Sequence, residues 1–207
     1  LSGQPKDVYY MYQSEWTDKP VLHLFPHWNW MPEQEIDMWC YYNNADEVEL
    51  FINGKSQGVR KKSSTLNATP SAFNSPYHVV WRVKYEPGTV RVIARKDGAV
   101  VGQQAIRTAG QPYALRLSYD YRGRETTFVK VEVVDKDGNL CPWAENQVLF
   151  ETTDGEIIGT DNGCQTSMER FKDPKRKAFF GRCMVVLSGH GILKARSMGL
   201  DGAAIAF

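Results

Sequence analysis

Along most of the chain apolar and polar residues alternate with a period of two. Val48, Leu50 and Ile52 are interleaved with Glu47, Glu49 and Phe51, and Val79, Trp81, Val83 and Tyr85 with His78, Val80, Arg82 and Lys84. Val90, Val92 and Ala94 alternate with Arg91, Ile93 and Arg95. Leu115, Leu117 and Tyr119 alternate with Arg116, Ser118 and Asp120, and Val129, Val131 and Val133 with Phe128, Lys130 and Glu132. Successive side chains of a strand point to opposite faces, so this rhythm predicts strands with one buried face. Asn53-Gly54, Asp97-Gly98 and Asp137-Gly138 each sit between two such runs. These dipeptides supply the positive φ that a tight type I′ hairpin requires. Asp154-Gly155 and Asn162-Gly163 predict further turns. Short strands recurring between turns predict antiparallel β-sandwiches, and strands alternating with long helices are missing from the pattern.

One segment breaks the rhythm. Val8, Met11, Tyr12 and Glu15-Trp16 recur at helical spacing, with Pro5 suited to the first helical position and Asp7 to the first turn. Asp18-Lys19-Pro20 ends this helix. About a dozen residues form a marginal helix in isolation, so its apolar stripe needs a surface to pack on. A domain boundary is expected near Thr108-Ala109-Gly110-Gln111-Pro112, after the strand Val100–Arg107. The expected organisation is a helical segment over residues 1–19, a first sandwich over 20–110 and a second over 111–207. Lys61–Pro76, rich in Ser, Thr, Asn and Pro, reads as an exposed loop.

Composition narrows the function classes. The 207 residues carry 25 Lys plus Arg against 24 Asp plus Glu, so the basic footprint of a nucleic-acid binder is missing. No apolar run reaches the ~18–20 residues of a membrane-spanning helix. Cys40, Cys141, Cys164 and Cys183 fit no zinc spacing and read as buried free thiols, with a Cys164–Cys183 disulfide as the alternative in an exported protein. The chain opens at Leu1 without a Met, a basic segment or an apolar run, which reads as a piece of a longer protein.

Most candidate chemistry has a plainer structural explanation. Asp135-Lys136-Asp137-Gly138-Asn139 spaces oxygen ligands as calcium loops do, but lacks the distal Glu and is accounted for as a hairpin turn. His23, His27, His78 and His190 form no metal pair, and no nucleophile or phosphate-binding motif is present, so neither a metal nor a cofactor is expected. Glu33, Glu35, Asp37, Asp46, Glu47 and Glu49 are plentiful carboxylates for a glycosidase pair, but those in Asp46–Glu49 alternate with apolar residues and read as the solvated face of a strand. Asn67-Ala68-Thr69 matches a glycosylation acceptor, but Pro70 follows it and such triplets arise by chance. The richest cluster is Phe25-Pro26-His27-Trp28-Asn29-Trp30. Two indoles and an imidazole so close together serve either as a plug between packed domains or as a flat surface for a sugar ring. His27, Trp28 and Trp30 are the candidate substrate-binding residues.

The segments Pro5-Lys6-Asp7-Val8-Tyr9-Tyr10-Met11-Tyr12-Gln13-Ser14-Glu15-Trp16 and Val21-Leu22-His23-Leu24-Phe25-Pro26-His27-Trp28-Asn29-Trp30 resemble glycoside hydrolase family 2 β-galactosidases. So do Asn44–Ser56, Tyr85-Glu86-Pro87-Gly88-Thr89 and Gly159-Thr160-Asp161-Asn162-Gly163. The resemblance implies the last part of such an enzyme: two tandem immunoglobulin-like antiparallel β-sandwiches after a short helix left from a (β/α)₈ barrel. It implies that the acid/base and nucleophile glutamates lie in the barrel, so no catalytic residue is carried over. The implied partners are the missing barrel and a carbohydrate, and the implied setting is a periplasmic or extracellular bacterial enzyme. The competing readings are a free-standing carbohydrate-binding module and a tandem immunoglobulin-like adhesion protein.

Overall fold

A computed structural model describes residues 5–63 and 75–207. The triplet Asn67-Ala68-Thr69 and most of the Lys61–Pro76 segment lie outside the described residues. Among the described residues the chain is all-β after one short helix, with every pair of strands antiparallel in four sheets. The sheets form two sandwich-like units, as the alternation requires. The described residues divide into Pro5–Thr108 and Ala109–Phe207.

The first unit contains α1 (Asp7–Trp16), β1 (Leu22–Phe25), β2 (Glu35–Tyr42), β3 (Glu47–Ile52), β4 (Lys55–Arg60), β5 (Val79–Lys84), β6 (Thr89–Lys96) and β7 (Ala99–Arg107). Sheets β1-β2-β5 and β4-β3-β6-β7 face each other. Leu24, Met38, Cys40, Val79 and Trp81 meet Val48, Leu50, Val90 and Val92 in one core. The positions with apolar period two are the ones buried. Asn53 and Gly54, at φ 48° and 84°, and Asp97 and Gly98, at φ 50° and 79°, make the two type I′ hairpins the dipeptides predict.

The helix begins two residues later than Pro5 at the first helical position would place it. Lys6 is still extended, and Asp7 opens the helix with its carboxylate on His23 Nε2 at 2.7 Å. At the other end Thr17 closes the last turn, its N–H and its hydroxyl both donating to Gln13 O.

The second unit contains β8 (Ala114–Arg122), β9 (Thr126–Val134), β10 (Gln147–Thr152), β11 (Glu156–Asp161), β12 (Lys175–Lys177), β13 (Arg182–Ser188), β14 (Ile192–Arg196) and β15 (Ala203–Ala206). Sheets β12-β10-β14-β15 and β11-β13-β9-β8 enclose Val129, Val131, Val185 and Leu187 against Val148, Phe150, Leu193 and Ala195. Strand β8 lies at a sheet edge and outruns this core: Leu115 is buried, but Tyr119 is exposed.

The Asp137-Gly138 segment is not a type I′ hairpin. Gly138 has φ 80°, but Asp137 does not adopt a positive φ. The loop is instead wound around the buried Asp135. Its carboxylate accepts N–H groups of Gly110 at 2.8 Å, Asp137 at 3.0 Å and Asn139 at 2.8 Å, and Asn139 Nδ2 at 3.1 Å. Those oxygens are directed at N–H donors and serve the turn, not a cation.

A second polar group is enclosed more deeply. The Arg176 guanidinium, 1% exposed, donates to Thr160 O and Oγ1, Glu169 O and Arg170 O, and lies 3.7 Å from Glu169 Oε2. It ties the 162–174 segment to β11 by donating to carbonyls of both.

All four cysteines are free; Cys40, Cys141 and Cys183 are buried and Cys164 is partly exposed. Burial pushes the Cys40 thiol well up, Cys183 to about 12 and Cys141 to about 11. The Thr166 hydroxyl holds Cys164 below its ordinary value. Because the thiolate is the reactive form, iodoacetamide at about pH 8 is expected to label Cys164 alone in the native chain, and all four thiols in urea. Mass mapping of the native adducts checks this, and rapid native labelling of Cys40 or Cys183 would contradict it.

Candidate functional site

The segment that follows β1 carries the candidate residues. Trp28 is fully buried, and its Nε1–H donates to Glu86 O at 3.0 Å. Its ring meets Tyr85 edge-on, with centroids 5.1 Å apart. The Thr108 hydroxyl donates to Trp28 O at 2.9 Å and accepts Gly88 N–H at 3.0 Å, pinning the segment against the unit's own core. Trp28 therefore belongs to the core of this sandwich and offers no surface to a ligand. His27 and Trp30 are partly exposed and are brought together. Their rings stack at 4.4 Å, and Trp30 Nε1–H donates to His27 O at 2.8 Å.

A larger aromatic surface lies on the outer face of β1-β2-β5. His23 pairs with Tyr41 and Phe25 with Trp39 across β1 and β2. Phe25 lies 4.9 Å from Tyr41, and Trp39 lies 4.5 Å from His78 at the start of β5. Composition alone did not single out this row. Its signal is in β2, whose outward positions change from Glu35 and Asp37 to Trp39 and Tyr41 while Met38, Cys40 and Tyr42 stay inward. The acidic end of the face is closed by ion pairs, Asp37 with Arg82 at 2.8 Å and Glu33 with Lys84 at 3.2 Å. Arg82 holds the Asp37 carboxyl below the usual carboxylate range.

Helix α1 covers the other end. Tyr10 stacks on His23 at 3.9 Å, beside the Asp7–His23 contact. The Asn43 side chain clamps the helix exit: Nδ2 is directed at the carbonyls of Ser14, Thr17 and Lys19, and Oδ1 accepts Val21 N–H at 2.8 Å. Lys62 reaches back to Glu15 at 2.6 Å. The side of the helix that meets the sheet is thus carried by Tyr10, Ser14 and charged groups. The apolar stripe faces away: Val8, Tyr9, Tyr12 and Trp16 are 44%, 50%, 44% and 76% exposed. Among the described residues no three His, Cys, Asp or Glu side chains come together as a metal site.

Residues 115–206 match the family model for glycoside hydrolase family 2 C-terminal domain 5. Residues 33–102 match that of a domain of unknown function, DUF4982. A beta-galactosidase of Bacteroides ovatus is 57% identical over 99% of this chain. The chain consists of C-terminal domains of a glycoside hydrolase family 2 protein. Two solved structures are similar to the chain over nearly its whole length. A beta-glycosidase from Bacteroides vulgatus is 30% identical over 98% of the chain, with a TM-score of 0.86. A glycosyl hydrolase family 2 member from Bacteroides cellulosilyticus is 27% identical over 100%, with a TM-score of 0.84. The chain covers 24%, 26% and 31% of these three relatives, so the family 2 region described here is a minor part of each.

Two outcomes are expected of this site. Trp28→Ala in the 207-residue chain should cost about 3–5 kcal/mol in urea unfolding, the usual loss for a large aromatic removed from a core. A loss below about 1 kcal/mol would contradict the core assignment. The second concerns pH. Burial pushes His27 and His78 below the ordinary 6.5, and the Lys62 charge adds to the effect at His78. The folded chain keeps these imidazoles neutral while the unfolded chain protonates them near 6.5. Their contribution is therefore complete above about pH 6.5 and declines as pH falls below it. Combining His27→Gln with His78→Gln should flatten the fall in unfolding free energy between about pH 6.5 and 5, and an unchanged slope would refute the assignment.

Proposed function

We propose that this chain is the non-catalytic scaffold of a retaining glycosidase that hydrolyses terminal β-galactosides. In this reading residues 1–19 belong with the last helix of the catalytic (β/α)₈ barrel, and 20–110 and 111–207 are the two sandwiches behind it. Helix α1 and the aromatic face of β1-β2-β5 seat the barrel, and the stacked His27–Trp30 pair contributes to the rim of the sugar site. The observation that carries the reading is the orientation of α1. The helix is clamped to its own sandwich through Asn43, Lys62 and His23, with Val8, Tyr9, Tyr12 and Trp16 turned outward. An amphipathic helix fixed with its apolar side away from its own domain fits a further body on that side. A free-standing carbohydrate module or an adhesion domain has no use for such a face.

The substrate class comes from the similarity to the Bacteroides ovatus beta-galactosidase. The chemistry proposed for the whole enzyme uses two carboxylates outside this chain. One attacks the anomeric carbon; the other protonates the leaving oxygen and then activates water. The 207 residues contribute position and stability, not a reacting group.

The test compares two proteins. Tyr12→Glu with Trp16→Glu changes exposed positions, so in the 207-residue chain it should alter unfolding free energy by no more than about 0.5 kcal/mol. In the full-length protein the same pair should lower the melting temperature by several degrees and reduce hydrolysis of a nitrophenyl β-galactoside. The 207-residue chain alone should give no turnover above buffer. Equal, small effects in both proteins would defeat the docking reading, and turnover by the isolated chain would defeat the non-catalytic one.

A further inference from the structure

The second sandwich carries an aromatic turn that its own folding does not explain. Phe179 and Arg182 exchange backbone hydrogen bonds around Phe180-Gly181, with φ 50° at Phe180 and 72° at Gly181. This is a two-residue type I′ turn, whose first position ordinarily holds Asn, Asp or Gly. Among the described residues the other non-glycine residues at positive φ are Glu33, Asn44, Asn53 and Asp97, all polar. A bulky aromatic is disfavoured there, because its Cβ crowds the backbone at positive φ. Burial does not offset this, because Phe180 is 48% exposed.

The turn is held rigidly beside a second exposed ring. Gly181 N–H donates to Ala144 O at 3.0 Å and Gly181 O accepts Val133 N–H at 2.8 Å. Any side chain on Gly181 would meet the Cys141 carbonyl, 2.3 Å from the position of its Cβ. The 141–144 segment fixed in this way carries Trp143, 57% exposed, with its ring 6.1 Å from that of Phe180 and inclined by 48°. Phe179 supports Phe180 from the edge at 4.5 Å. Glu145, two positions after Trp143 in the sequence, and Lys177, two positions before Phe179, are ion-paired with each other.

We propose that Trp143 and Phe180 form a binding platform for a β-linked hexopyranose chain. Two inclined, exposed rings match the apolar C–H faces of successive sugars, and the Glu145–Lys177 pair supplies donors and acceptors for hydroxyls. A patch of two rings is far smaller than the ~800 Å² per partner of a standard protein interface, which favours a sugar over a protein. The choice of galactoside as probe rests on the glycosidase reading above.

The test is an NMR titration of the 207-residue chain with β-1,4-galactotetraose, following the indole N–H signal of Trp143, identified by its loss in Trp143→Ala. The expected result is a saturable shift with a dissociation constant of about 1 mM. Phe180→Asn places a residue suited to the turn, so it should raise the melting temperature while weakening binding at least about tenfold. Loss of binding is thereby separated from loss of fold. No saturable shift of the Trp143 signal, as expected if the rings seat a protein instead, overturns the proposal, and so does undiminished binding by Phe180→Asn. This titration reads neither hydrolysis nor the stability of the full-length protein, so its failure leaves the docking reading standing, and absence of turnover by the full-length protein leaves the platform standing.

Discussion

The sheet β1-β2-β5 is apolar on both faces, and its own sandwich covers only one. Leu24, Met38, Cys40 and Trp81 fill the core, while Phe25, Trp39, Tyr41 and His78 line the opposite side. A strand with one solvated face shows polar residues at every second position; β2 does so at Glu35 and Asp37 and then stops. Each aromatic ring offers on the order of 150–250 Å² for burial. Tyr41 is buried and Phe25, Trp39 and His78 are partly buried, each Å² covered being worth roughly 25 cal/mol. The placement of α1 follows from this constraint, since the helix covers the His23 end of the row.

The helix in turn depends on the sheet. At ten residues it is too short to persist alone in water. Its last carbonyls have no partner within the helix. Asn43 meets Ser14 O and the carbonyls just beyond the helix, and its Oδ1 takes Val21 N–H where β1 begins. One amide thereby fixes both where the helix stops and where the first strand starts. The outward direction of Val8, Tyr12 and Trp16 thus follows from these hydrogen bonds together with the stacking of Tyr10 on His23.

The strands of the core were legible because a pleat converts alternation directly into burial, as at Val48–Ile52, Val79–Tyr85 and Val129–Val133. Asn53-Gly54 and Asp97-Gly98 were legible because the φ requirement is local. Asp137-Gly138 was not, because Asp135 and the distant Gly110 N–H set that loop, and a contact over 25 positions leaves no local pattern. The Trp28–Trp30 segment showed its density of rings but not their directions. Only the hydrogen bonds to Glu86 and Thr108 turn Trp28 inward, while Trp30 stays at the surface beside His27. Helical spacing likewise identified α1 and its apolar stripe but not which side would meet the sheet.

The second unit shows how completely internal charge can be absorbed by structure. Burial alone would raise Glu132, but Arg116 and Arg182 outweigh it and hold the carboxyl below the usual range. Asp135 is surrounded by N–H donors, and Arg176 by carbonyls and the Thr160 hydroxyl. A Lys at 176 could not replace that planar fork, because one ammonium cannot reach carbonyls on both β11 and the 169–170 segment. Each of these groups breaks a rule of residue burial, and each violation is compensated by partners close at hand. Phe180 also breaks a local rule, through its backbone, and stays 48% exposed. Such uncompensated departures from local preference are where a fold serves something other than its own stability. The ring at Phe180 lies beside the exposed Trp143, and the binding role proposed for the pair gives the departure at position 180 a reason.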